Sequence, residues 1–165
     1  MDIIDCRYRP NTPVWMETFT RNPVYEEYVK RTGFDKKPTQ SLAGCAAQLA
    51  SLGIGKALVS GRDIESTYAA PASNDLVDAC VAAYPSLFIG IHGYDPHKGM
   101  KAYKAICQAI RERRSRGASI EPSMAHCPMD DAKYYPLYAL CCDHDLPVLV
   151  TAGLSPNMPK VLLSP

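Results

Sequence analysis

Short apolar runs alternate with longer amphipathic stretches along most of the chain, and each run is four to six residues long. A first strand is expected at Asp2–Arg9, closed by Pro10, which cannot continue a ladder. The next stretch, Asn11 to about Lys37, has no clean period. It scatters Trp15, Phe19, Tyr25, Tyr28 and Phe34, with a short helix expected near Val24–Arg31. Pro38–Leu52 is rich in Ala and Leu at helical spacing, and Gly53 follows as a C-cap glycine would. Then come a strand at Lys56–Ser60, a helix at Pro71–Tyr84 with Ser73 or Asn74 as N-cap, and a strand at Leu87–His92. Lys98 to about Arg114 places Met100, Tyr103, Ile106, Cys107 and Ile110 on one helical face. A strand at Gly117–Glu121, a helix at Asp130–Asp143 and a strand at Leu146–Thr151 complete the series.

Mostly apolar strands separated by helices make a parallel sheet that is covered on both faces. Right-handed crossovers leave an open doubly wound sheet or a closed barrel. The open sheet usually carries a glycine-rich phosphate loop after its first strand. That position here holds Arg7-Tyr-Arg-Pro10, so the expectation is an α/β fold of (β/α)8 TIM-barrel type. It is incomplete: about five βα units are legible in residues 1–165, read as one domain, where a full barrel takes about 250 residues.

Composition narrows the class without naming a function. A formal net charge of +1 gives no field for nucleic acid or anionic membrane. No apolar run approaches the roughly 18 residues of a membrane span. The opening residues, Met1-Asp-Ile-Ile-Asp-Cys-Arg7, lack the basic-then-apolar order of a signal peptide. Seven cysteines, an odd number with no CxxC, read as reduced thiols of a cytoplasmic protein, packed as small hydrophobes. Arg111-Glu-Arg-Arg-Ser-Arg116 reads as a solvated helix end.

An ordered set of motifs goes further. Ile4-Asp5-Cys6-Arg7-Tyr8-Arg9-Pro10 is followed by Asn74, Tyr84-Pro85, Phe88-Ile-Gly-Ile-His-Gly-Tyr-Asp-Pro96 and Gly117-Ala-Ser-Ile-Glu-Pro122. After these come Tyr135-Pro-Leu-Tyr138 and Leu146-Pro-Val-Leu-Val-Thr-Ala-Gly153. In order and spacing this set resembles the amidohydrolase-2 family, the barrel group of aminocarboxymuconate-semialdehyde decarboxylase and related hydrolases. The resemblance implies a first strand ending Asp-x-His-x-His-Pro and a fifth ending Val-x-Val-His-x-Gly, whose histidines bind a divalent metal. Here those positions are Arg7, Arg9 and Thr151. Guanidinium has no lone pair to donate and repels a cation, so no metal site and no cofactor are expected. The family's other histidine and aspartate ligands belong to later strands than those legible here.

Arg7 and Arg9 share parity on their strand, and would form a fork for carboxylate or phosphate at the barrel mouth. Ion pairs with Asp5, Asp63 or Glu121 account for them equally well. Ser119 and Glu121 share the inward face of the fourth strand, and Glu121 is a candidate acid or base or a partner of Arg7 or Arg9. His92, ending the third strand, is the candidate histidine for acid–base work, against a histidine bonded to backbone. Thr151 and Trp15 are candidate substrate contacts, with Tyr25 as a second wall or a plug. His126-Cys127 reads as a loop pair, and His97 and His144 as surface positions.

From the resemblance, the expected activity is a divergent hydrolase acting on a small carboxylated substrate without the family metal, by hydrolysis, lactone opening or decarboxylation. The alternative is a non-catalytic relative that binds an anion or serves as a subunit. The expected partners are a small anionic molecule and a second copy, in a homodimer or other oligomer that completes the barrel; neither nucleic acid nor membrane is expected.

Overall fold

The computed structural model describes residues 3–152. Its strands are β1 (Ile3–Tyr8), β2 (Ile54–Ser60), β3 (Phe88–Gly93), β4 (Ala118–Ile120) and β5 (Val148–Val150). They form one five-stranded sheet in the order β1-β2-β3-β4-β5, every neighbouring pair parallel. The helices between them are α1 (Pro13–Thr20), α2 (Glu26–Thr32), α3 (Leu42–Ser51), α4 (Glu65–Tyr68), α5 (Asn74–Ala83), α6 (Met100–Arg111), α7 (Pro122–Ala125) and α8 (Tyr135–Asp143).

Sequential parallel order is the order of a barrel, and the sheet curls as one. In a flat sheet β1 and β5 would lie about 19 Å apart, four strand spacings. Yet the Arg7 guanidinium reaches Thr151 Oγ1 at 3.4 Å across the concave face. The structure is a curled half-barrel, and its convex face carries α3, α5, α6 and α8.

Period-two alternation decides what each face holds. Ala57, Val59 and Phe88 point outward and pack with Leu49, Val77 and Cys80. Ala118 and Ile120 do the same against Ile106, Leu137 and Leu140. Burying a side chain such as Phe88 contributes roughly 1.5–3 kcal/mol. The concave face receives the alternate residues. A register shift between Asp5 and Tyr8 resets β1 so that Tyr8 stacks outward on Phe88, with ring centroids 5.9 Å apart. Arg7 and Arg9, on either side of it, face inward.

The expected elements are present with altered ends: most are shorter, β2 starts two residues earlier at Ile54, and β3 is shifted by one residue to Phe88–Gly93. Ser41 caps α3 by accepting the Gly44 N–H at 3.0 Å. The Asp130–Asp143 helix begins as a 3₁₀ turn at Ala132–Tyr134 and becomes α-helical at Tyr135. Three helices add to the expected set: α1, opened by Pro13, and the single turns α4 and α7. No helix among the described residues is long and apolar enough to cross a membrane. The tail Val161–Pro165 and the outer end of the first expected strand, Asp2, lie outside the described residues.

Candidate functional site

Four segments converge above the C-terminal ends of the strands. Arg9 follows β1, Arg62 lies two residues beyond β2, Glu121 follows β4, and Tyr25 comes from the segment after α1. Arg9 donates from Nε to the Ser60 carbonyl at 3.3 Å and from Nη2 to Glu121 Oε1, also at 3.3 Å. Arg62 Nε lies 2.7 Å from Glu121 Oε2 but is not aligned for a hydrogen bond. Its Nη1 donates to the Tyr25 hydroxyl, and its guanidinium sits 5.2 Å from the ring centroids of both Phe19 and Tyr25.

The Arg62 backbone is clamped in turn. The Ser73 hydroxyl accepts the Arg62 N–H at 2.8 Å. Ser73 does occupy the N-cap of α5, but its side chain serves this loop and not the helix. Asn74 exchanges two hydrogen bonds with the Gly93 backbone, at 2.7 and 3.0 Å. A Cβ on Gly93 would lie 2.5 Å from the Arg62 carbonyl carbon and the Asp63 nitrogen, so only glycine lets the β2 loop cross the end of β3.

Burial alone would raise the Glu121 carboxyl, but the charges of Arg62 and then Arg9 outweigh it and hold it below the usual carboxylate range. Burial, then the charge of Arg62, pushes the Arg9 guanidinium down to about 10, with Glu121 opposing. Arg62 moves the other way: burial lowers it, but Glu121 and Tyr25 together raise it. Burial lifts the Tyr25 phenol to about 12, so it stays protonated.

Two spaces adjoin the cluster. A void of about 20 Å³ lies between Arg9, Arg62, Phe19 and Tyr25, room for one water-sized group. Next to it a cavity of about 470 Å³ is lined by Arg9, Trp15, Met16, Phe19, Phe34 and Lys37. Its walls are cationic and aromatic together, the composition that suits a small planar anion.

Of the expected site residues, the structure brings Arg9 and Glu121 together, sets Arg7 against Thr151, and buries Trp15 beside Arg9. His92 does not join them. It shares outward parity with Phe88 and Gly90, and its Nε2 lies 2.8 Å from Asp78 Oδ1 on α5. The inward residues of β3 are Ile91 and Gly93. Burial lowers the His92 imidazole, opposed by Asp78, which fits a neutral ring donating to that carboxylate. His126 is exposed and meets the Tyr68 hydroxyl at 3.0 Å, while Cys127 is buried against α8. Sequence reasoning missed Arg62 because it lies past the end of its strand. Its parity with Leu58 and Ser60 was the available signal.

The residues at positions 7, 9 and 151 do not fit a divalent metal. Arg9 presents N–H donors to a carbonyl and a carboxylate, and Arg7 donates to Thr151. Glu121 has both oxygens against guanidiniums. Among the described residues no three His, Cys, Asp or Glu side chains are grouped to hold an ion.

The family model Amidohydro_2, described as Amidohydrolase, matches residues 5–162. The chain belongs to the amidohydrolase-2 family. Its fold is similar to the uncharacterized TIM-barrel protein Bb4693 of Bordetella bronchiseptica, with 27% identity and a TM-score of 0.68 over 97% of this chain and 58% of that one. It is similar to 5-carboxyvanillate decarboxylase of Novosphingobium aromaticivorans, at 18% identity and a TM-score of 0.65 over 94% and 51%. For 2,6-dihydroxybenzoate decarboxylase of Rhizobium the values are 14% and 0.65 over 97% and 53%. The chain thus spans between half and three-fifths of the length of these structures. No curated protein matches it.

Proposed function

We propose that the chain acts as a divergent amidohydrolase-type enzyme on a small carboxylated substrate, by hydrolysis, lactone opening or decarboxylation, without a metal held at positions 7, 9 and 151. The observation that carries this reading is the pair of largely buried guanidiniums, Arg9 and Arg62, set against the single carboxylate of Glu121 at the strand ends. Active sites of barrel enzymes lie at that end. Two of the similar structures are decarboxylases of aromatic carboxylates by name, and the cavity beside Arg9 has aromatic walls.

In this reading Arg9 binds the substrate carboxylate, and Trp15 and Phe34 flank its body. Glu121, held ionised by Arg62 and Arg9, cannot donate a proton and is a weak base, so its part is to orient Arg9. Arg7 and Thr151 close the far rim. The protein works in the cytoplasm, in keeping with its seven free thiols. A second copy covers the free edges of the half-barrel.

The test is turnover of aromatic acids and lactones by the purified chain, with metal content measured on the same sample. Turnover that survives chelation and disappears in Arg9→Met supports the proposal. Activity that vanishes with chelator and returns with manganese overturns its metal-free part. A second reading, a non-catalytic anion-binding relative, is favoured by arginine and threonine at the family's ligand positions. Saturable binding without turnover of any of these substrates decides for it.

A further inference from the structure

The mouth holds unequal charge. Two guanidiniums, with side chains 20% and 17% exposed, face one carboxylate that is 4% exposed. Arg7, further down β1, is exposed and spends its contact on Thr151, and Lys37, on the cavity wall, is exposed with its ammonium 4.9 Å from the centroid of the Phe34 ring, so solvent screens both. Glu121 does not divide itself evenly either. It lies 2.7 Å from Arg62 but 3.3 Å from Arg9, which leaves Arg9 the less neutralised cation. Arg9 uses Nε on Ser60 and Nη2 on Glu121, and its Nη1 has no acceptor among the described residues. The hydroxyl of Ser60, whose carbonyl takes the Arg9 Nε–H, is buried without a partner. The aromatic cavity opens on the Arg9 side of the cluster.

Resting on the anion-binding reading above, we infer that Glu121 permanently fills the first of two carboxylate places in this mouth, so that Arg9, beside Ser60, receives one monoanionic carboxylate. Glu121 is then the specificity-determining residue that selects one negative charge over two. A dianion would bring its second charge against the fixed carboxylate, in a site where little solvent screens the repulsion. Replacing Glu121 by a neutral isostere keeps its volume but removes its charge, and with it the repulsion of a second negative charge.

Trp15, the single tryptophan of the chain, lines the cavity next to Arg9 and reports occupancy by its fluorescence. The experiment titrates benzoate and phthalate into the wild-type chain and into Glu121→Gln near neutral pH. Expected is a wild-type preference for benzoate on the order of tenfold, and its reversal in Glu121→Gln. Equal wild-type affinity for the two anions, or an unchanged preference in the variant, overturns the inference. Should Glu121→Gln not fold, the wild type alone decides. Monomethyl phthalate, which keeps the same ring and substitution but carries one charge near neutral pH, should bind the wild type more tightly than phthalate and at the level of benzoate. No tightening overturns the inference. If neither anion perturbs Trp15 and Arg9→Met behaves as wild type, the anion site itself is refuted, a result distinct from a failure of charge selection.

Discussion

Glu121 and the two arginines act as a unit, so their removal is unequal. Glu121→Ala leaves two largely buried guanidiniums facing each other, and truncating one side of a buried ion pair costs about 3–5 kcal/mol. Arg62→Met leaves Glu121 with Arg9 and keeps most of the packing against Phe19 and Tyr25, so its cost should be smaller, about 1–3 kcal/mol. Urea unfolding of both variants checks the order. His92 gives a pH signature of its own. Its folded pKa is lowered by burial, so below the unfolded value of about 6.5 the unfolded chain takes up a proton that the native state refuses. Stability contributed by His92 is thus complete above that value and is lost as the pH falls toward the folded pKa. The urea midpoint should decline from pH 7 to pH 5, and less steeply in His92→Gln. Equal slopes would count against a buried neutral imidazole.

At the scale of elements, the site depends on how loops cross strand ends. Gly93 is the point at which the β2 loop lies on β3, and any Cβ there meets backbone at 2.5 Å. Gly93→Ala should cost about 1–3 kcal/mol through overpacking and also displace Arg62, so the Trp15 response to benzoate should weaken. A variant that is less stable but binds normally would uncouple the crossing from the site. The same scale shows what periodicity can see. The five strands were legible as short apolar runs, and the longer helices as Ala- and Leu-rich or amphipathic stretches between them, because both signals lie in consecutive residues. The stretch from Asn11 to Lys37 was legible only at its short helix, expected near Val24–Arg31 and found at Glu26–Thr32, since its aromatics pack partly among themselves: Phe19 lies 5.1 Å from Tyr25 and 5.2 Å from Phe34 between ring centroids. The turns α4 and α7 are too short to show any period.

The described residues form a curled half-barrel with β1 and β5 on its edges. Ile3, Ile4 and Val150 on those edges are 54%, 52% and 42% exposed. Unpaired apolar edges invite pairing with another chain. Sedimentation velocity should show concentration-dependent self-association of the chain, and the double variant Ile3→Lys, Ile4→Lys should shift it toward monomer. A wild-type monomer at every concentration would remove the second copy from the proposal.

The sequence by itself determined the alternation of strands and helices, the parallel class and the family, because local period and ordered motifs are written in consecutive residues. The resemblance set Arg7, Arg9 and Thr151 against the family's histidines, and at the two arginines guanidinium chemistry argues against a metal. Side-chain parity put Arg9 and Glu121 on one face, but their contact depends on the curl of the sheet, which only the tertiary structure decides. The same holds for His92, whose place at a strand end was visible while its outward turn to Asp78 was fixed by register. Arg62 entered the site through a loop crossing allowed by Gly93, a contact between residues far apart in the chain that no local pattern encodes.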